Sequence, residues 1–238
     1  MKKYQKNSLE SYTLGTTLTL ELLTKKIKYV KRVYIHSKQE KNNSYKKIIS
    51  ICKENKIEII YSDKVFNILS DQENCYIIGI CKKYNCHVDL TKNHVVLVNP
   101  ENKGNLGTII RSCRGFNIEN LIIIKPGVDI FDPKVIRSSM GAIFNLNFAY
   151  FNSFEDYINL VQKRNFYPLM LKATTNLSQV EVKEPYSLIF GPESSGLNDE
   201  YLKIGTPLII MHSKLIDSLN LDNAVSITLY EFTKNKFK

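Results

Sequence analysis

The 238-residue sequence has no apolar run approaching the roughly 18 residues a membrane-spanning helix needs. Its basic opening, Met1-Lys2-Lys3-Tyr4-Gln5-Lys6, is followed by no apolar core, so no secretion signal is expected and the cytoplasm is the expected location. Cysteine is sparse and odd in number: Cys52, Cys75, Cys81, Cys86 and Cys113 do not make a disulfide scaffold. Cys81, Cys86 and His87 lack the spacing of a paired Cys-x-x-Cys zinc site, and no second ligand pair accompanies them. No metal is expected, and the thiols read as reduced and structural. Internal repeats, low-complexity tracts, the dinucleotide fingerprint G-x-G-x-x-G and the phosphate loop G-x-x-x-x-G-K-[ST] are also missing.

Positive charge is what the sequence does have. The net charge is +10 and the pI about 9.2, which favours an acidic partner, nucleic acid first. The excess is uneven. Residues 1–90 carry 17 Lys/Arg against 9 Asp/Glu, or +8, and residues 91–238 carry 16 against 14, or +2. A Lys-, Asn- and Ile-rich composition also suits a solvated surface, so charge alone gives nucleic-acid binding only a modest lead.

Two α/β regions follow from the patterning. In the first, a helix carrying Leu18, Leu20, Leu22 and Leu23 precedes a strand at 30–35, a helix carrying Ile48, Ile49, Ile51 and Cys52, a strand at 57–61, a helix at 65–69 and a strand at 76–81. Residues 82–93 (KKYNCHVDLTKN) are polar and aperiodic, and read as a linker, giving domains at 1–90 and 93–238. The second region opens with HVVLV at 94–98, a continuous apolar run suited to a strand buried on both faces. Further strands are expected at 121–125, 167–172, 187–190 and 207–211, with helices at 106–114, 133–140, 154–164, 199–203 and 222–233. That alternation predicts a mostly parallel sheet with helices on both faces.

Three segments are candidates for chemistry. The first, Asn99-Pro100-Glu101-Asn102-Lys103-Gly104-Asn105-Leu106-Gly107-Thr108-Ile109-Ile110-Arg111, leaves the buried strand through a turn and enters a helix. Leu106, Ile109, Ile110 and Cys113 fall at i, i+3, i+4 and i+7, so one face packs and Arg111 lies off it. The carboxyl ends of parallel strands are where open α/β sheets bind ligands. A capped helix with a surface arginine fits the same spacing. The second, Phe190-Gly191-Pro192-Glu193-Ser194-Ser195-Gly196-Leu197, again follows an apolar strand. Gly191 and Gly196 allow close backbone approach, and Glu193 offers an acceptor for a hydroxyl or a partner for an arginine. A plain strand-to-helix turn would look alike. In the third, Ser218-Leu219-Asn220-Leu221-Asp222-Asn223-Ala224, helix capping and ligand contact suit Ser218 and Asn220 equally.

Taken in order, N-x-G-x-x-x-R, F-G-P-E-x-x-G-L and S-L-N-x-x-x-A resemble the three motifs of the SpoU (TrmH-like) RNA methyltransferases of the SPOUT superfamily. The likeness runs from His94 to Phe232 and includes Arg137-Ser138-Ser139-Met140-Gly141-Ala142. Residues 1–90 look similar to the small RNA substrate-binding domain that many members carry. The resemblance implies a knotted SPOUT-type α/β fold, a trefoil knot that forms an S-adenosylmethionine pocket, a homodimer, and ribose 2′-O-methylation of RNA without a metal. It places Gly191, Ile209, Ile210, Met211 and Leu219 at the cofactor. It gives catalytic positions to Arg111, Asn105, Glu193, Ser218 and Asn220.

The implied reaction is in-line attack of a ribose 2′-oxygen on a sulfonium methyl group. Much of that task is positioning and local electrostatics. Arg111 either assists deprotonation or stabilises the developing alkoxide; a guanidinium is almost always protonated, which makes the second role physically easier. Two departures stand out: Ile210 occupies a position where many members have proline, and the loop from Met211 to Leu219 is one residue longer than the common spacing. Ile209 and Ile210 both remain candidates for the cofactor contact. Ribosomal RNA is the first-choice substrate and transfer RNA the second. The rival readings are an inactive RNA-binding protein of the same fold, acting in ribosome assembly or resistance, and a small-molecule methyltransferase. The latter leaves the +8 first region unexplained.

Overall fold

The computed structural model describes residues 3–71, 73–161 and 163–237. It divides into two compact units, residues 1–84 with 129–145, and residues 85–128 with 146–238. Among the described residues no helix is long and apolar enough to cross a membrane.

The first unit holds strands β1 (Glu10–Leu14), β2 (Val30–Ile35), β3 (Glu58–Tyr61) and β4 (Ile77–Lys82), and helices α1 (Thr16–Lys25), α2 (Asn43–Glu54) and α3 (Asp63–Leu69). The sheet order is β1-β4-β2-β3, with β4 antiparallel to both neighbours and β2 parallel to β3. Leu18, Thr19, Leu22 and Leu23 form the buried stripe of α1, and Ile48 with Cys52 that of α2. Asn42 caps α2 by accepting from the Tyr45 amide at 3.0 Å. Strand β1 (ESYTL) is not expected from the apolar pattern, because its buried side chains alternate polar with aromatic. Thr13 meets Thr19 at 2.8 Å, and Ser11 donates to the Phe131 carbonyl.

The second unit begins with β5 (His94–Val98), α4 (Lys103–Gly115) and β6 (Asn120–Ile124). Residues 129–145, including α5 (Pro133–Ser138), then belong to the first unit, although pattern alone groups them with the second. Asp129 is one reason: its carboxylate accepts from Lys83 Nζ at 2.6 Å and from Tyr4 Oη at 2.5 Å. The second unit resumes with β7 (Asn147–Phe151), α6 (Phe154–Val161), β8 (Asn165–Pro168), β9 (Thr175–Asn176), β10 (Tyr186–Phe190), β11 (Leu208–Ile209) and α7 (Leu221–Thr233).

Five strands form one wholly parallel sheet in the order β7-β6-β5-β10-β8. Helices cover both faces, as side-chain parity shows. Ser187 points to α6, where Tyr157 Oη lies 2.5 Å from its Oγ, whereas the next residue back, Tyr186, meets the Phe232 ring of α7 at 5.0 Å. Helices α4 and α7 pack together through Ser112 Oγ and Ser226 Oγ at 2.8 Å. Three expected elements differ. The 167–172 strand lies earlier, at Asn165–Pro168. The 207–211 strand reduces to Leu208–Ile209, which pairs with Thr175–Asn176 outside the main sheet. The 199–203 helix is a single 3₁₀ turn capped by Asn198.

Candidate active site

The carboxyl ends of β5 and β10, neighbours in the sheet, carry the first two segments to one place. After β5 the chain turns through Asn99, whose φ is +48°, and α4 starts with Asn102 as cap. Asn102 Oδ1 accepts from the amides of Gly104 at 2.7 Å and Asn105 at 3.2 Å. After β10 the chain doubles back at once. A Cβ on Gly191 would lie 2.2 Å from the Gly196 carbonyl carbon and 2.4 Å from the Leu197 nitrogen, so only glycine permits the fold-back.

That fold-back delivers Glu193 to the start of α4. Its Oε2 accepts from the Glu101 amide at 3.0 Å, and its Oε1 from the Asn102 amide at 3.2 Å and from Asn105 Nδ2 at 3.0 Å. A carboxylate over the exposed amides of a helix start is favourable twice, by hydrogen bonding and by the helix dipole. Asn105 uses its second N–H on Asn220 Oδ1 at 3.3 Å, and Asn220 caps α7 by accepting from the Leu221 amide at 2.9 Å. One asparagine amide thus ties all three segments together. Contacts of Asn105 with Asn220 and of Ser112 with Ser226 make α4 and α7 run in the same direction. Their positive ends lie side by side, and the Glu193 carboxylate is the anion at the α4 end.

Next to this cluster is a cavity of about 960 Å³. Gly191, Glu193, Ile209, Ile210, Ser218, Leu219 and Asn220 line it, as do Met170, Phe190 and Leu208. Asn105 joins through its bonds to Glu193 and Asn220. The structure does not bring in two of the expected residues. Met211 is not in the lining and is 67% exposed. Arg111 is exposed on α4, about 9 Å further along the axis than Asn105, and has no hydrogen bond or ion pair among the described residues. The chain segment after β8, with Leu169, Leu171 and Lys172, and the residues His212 and Asp217 also line the cavity. None of these carries a sequence signal, because contacts between segments far apart in the chain leave no local period.

A second polar cluster lies in the same unit at the amino ends of the strands. His94 Nε2–H donates to the Asp89 carbonyl at 2.8 Å, and Nδ1 accepts from Tyr157 Oη at 2.8 Å and Arg164 Nη1 at 3.1 Å. Burial, and then the Arg164 charge, push the His94 pKa down to about 4, so the ring is neutral; burial raises Tyr157 to about 12. Arg164 also donates to the carbonyls of Lys92 at 2.7 Å and Tyr186 at 2.6 Å. These groups have no opening to the cavity and serve as a structural tie. Among the described residues no group of three or more His, Cys, Asp or Glu is placed to hold a metal ion.

The SpoU rRNA Methylase family model matches residues 92–230. An uncharacterized tRNA/rRNA methyltransferase of Synechocystis is 31% identical over 149 residues, covering 60% of this chain and 53% of that protein. A 23S rRNA (uridine(2479)-2′-O)-methyltransferase of Streptomyces viridochromogenes is 29% identical over 150 residues, covering 60% and 52% respectively. The match thus spans about half the length of both relatives. The crystal structure of an AdoMet-bound rRNA methyltransferase from Sinorhizobium meliloti superposes with a TM-score of 0.82 at 20% identity, covering 97% of this chain and 89% of that one. At that identity the likeness speaks for the fold.

Proposed function

Because the chain belongs to the SpoU rRNA Methylase family, we propose that it is an S-adenosylmethionine-dependent RNA methyltransferase acting on a ribose 2′-hydroxyl. The observation that carries this reading is the Glu193–Asn105–Asn220 bridge, which holds the three segments together beside the cavity. The Streptomyces relative named as a 2′-O-methyltransferase supports the choice of atom.

The cavity residues suit the cofactor. Cavities of 300–1,000 Å³ take drug-sized ligands, mostly against apolar walls with a few placed polar groups. Here Phe190, Leu208, Ile209 and Leu219 offer the apolar wall, while Ser218, Asp217 and the backbone at Gly191 offer polar partners. Gly191 lets the loop fold tightly on Gly196 and Leu197, and so sets the backbone that borders the cavity. S-adenosylmethionine supplies an already activated methyl group when bound.

The chain's own residues have three tasks in this reading. Gly191, Leu219 and Ile209 or Ile210 hold the cofactor. Glu193 and Asn105 fix the starts of α4 and α7, so that Ser218 is held where the incoming ribose and phosphate would meet it. Arg111 supplies positive charge for the developing 2′-alkoxide. Its exposure on α4 is consistent with service across a homodimer, as is the apolar exposure of Ile227 and Tyr230 beside it on α7. A threaded C-terminus, residues 1–90 as the RNA-selecting domain, and a cytoplasmic location belong to the same reading. Ribosomal RNA is the preferred substrate over transfer RNA, on the strength of the basic first unit and the Streptomyces relative's 23S rRNA name. Labelled-methyl transfer from S-adenosylmethionine to RNA tests the proposal, since incorporation requires turnover and an inactive RNA-binding protein gives none.

A further inference from the structure

The first unit carries an exposed aromatic side chain that its own fold leaves largely unused. Strands β2 and β3 are parallel, with Ile35 opposite Tyr61, and β3 is the edge of its sheet. Ile59 packs on the α2 side of the sheet, and strand alternation puts Tyr61 on that side too. Tyr61 nevertheless sits beyond the core and is 65% exposed. Its hydroxyl is 3.1 Å from that of Tyr45, in the first turn of α2, whose ring is partly buried against the core. The pair is therefore anchored on one side and open on the other.

The surroundings are cationic. The charges of Lys41 and Lys53 act on the Tyr61 phenol. Residues 38–56 hold six lysines, Lys38, Lys41, Lys46, Lys47, Lys53 and Lys56, against Glu40 and Glu54. A fixed phenol ring among lysines lacks the apolar, charge-depleted core expected of a protein-docking surface. It has what unpaired nucleic acid requires: a π-face for a base and positive charge for the phosphates on either side.

We propose that Tyr61, braced by Tyr45 and flanked by Lys41 and Lys53, is a stacking site for an unpaired nucleotide of the substrate RNA. The identity of the polymer rests on the RNA methyltransferase reading; the site itself rests on the geometry above. Paired bases are already stacked on their neighbours and do not offer a face, so the site discriminates loops and bulges from regular duplex.

The chain has no tryptophan, so Tyr61→Trp installs a single indole reporter at the site. Titrating the full chain with a mixed-sequence single-stranded oligoribonucleotide is expected to quench that emission saturably, and the same strand in a duplex is expected to leave it nearly unchanged. Tyr61→Ala is expected to weaken single-strand binding about tenfold, within the range of one lost base–aromatic stack. Tyr61→Phe should retain most of the affinity. Lys41→Gln should weaken binding and reduce its salt dependence by about one counterion. Unchanged affinity of Tyr61→Ala, or emission of the Tyr61→Trp chain that ignores single-stranded RNA, overturns the proposal. Emission that changes with protein concentration alone marks a copy-to-copy contact instead and also overturns it. Methyl incorporation by the unaltered chain is scored separately, so failure at Tyr61 is distinct from failure of the enzymatic reading.

Discussion

Asn105 Nδ2 lies 3.0 Å from Glu193 Oε1, joining two residues 88 positions apart in the chain. The same Glu193 carboxylate also accepts two backbone amides at the start of α4, from Glu101 and Asn102. Glu193 is thereby a clamp between the loop after β10 and the helix after β5, with both oxygens engaged. In the proposed reaction it has a positioning part, holding Asn105 and the two helix starts in place.

Removing the clamp has a defined cost. Glu193→Gln replaces one acceptor oxygen by an N–H₂ that faces one or two of the three donors, and it loses the charge opposite the helix dipole. We expect about 1–3 kcal/mol of destabilisation, the range for hydrogen bonds to a charged group, and at least a tenfold loss of methyl transfer. Thermal melting and initial rates, measured on the same preparation, check both.

Gly191 separates cofactor binding from folding. An added Cβ meets the backbone of Gly196 and Leu197 at 2.2–2.4 Å, so in Gly191→Ala the loop must move away. Calorimetric titration with S-adenosylmethionine should show at least a tenfold weaker Kd while the helical circular dichroism is unchanged. An unaltered Kd would remove Gly191 from the cofactor site.

Arg111 provides the opposite separation. Exposed and without a bond to hold among the described residues, it contributes little to the fold. Arg111→Ala should leave the melting temperature and cofactor affinity within error and abolish methyl transfer. Turnover near the normal rate would show that the arginine has no role in the chemistry.

Stability should depend on His94 below neutrality. Its pKa is about 4 when folded, against 6.5 for the free side chain. The unfolded chain therefore takes up the proton first, and unfolding gains as pH drops. The contribution is full above about pH 6.5 and is lost progressively toward pH 4, amounting to roughly 3 kcal/mol. Urea melts at pH 7 and pH 4.5 should show that loss, and His94→Gln should flatten this part of the profile.

Much of the second unit is legible in its residue pattern. Leu106, Ile109, Ile110 and Cys113, spaced as one helical face, are all fully buried, and HVVLV is a central strand. The three segments stand out in the chain, but the Glu193–Asn105–Asn220 bridge does not, since hydrogen bonds across 88 and 115 positions leave no local period. Strand β1 is hidden because Ser11 and Thr13 are buried through specific polar contacts. Strand β7 (NFAYF) carries no clean alternation, and only Phe148 in it is buried. The family resemblance places Met211 at the cofactor, yet its side chain is exposed while Ile210 and His212 on either side line the cavity.

The most direct test of the account is the position of the transferred methyl group. The full chain is incubated with methyl-labelled S-adenosylmethionine and ribosomal RNA from cells lacking the protein, and the RNA is then digested to nucleosides. The account predicts label in a 2′-O-methylated nucleoside, and none when Arg111→Ala replaces the unaltered chain. Label on a base, or no label with any RNA, would contradict it.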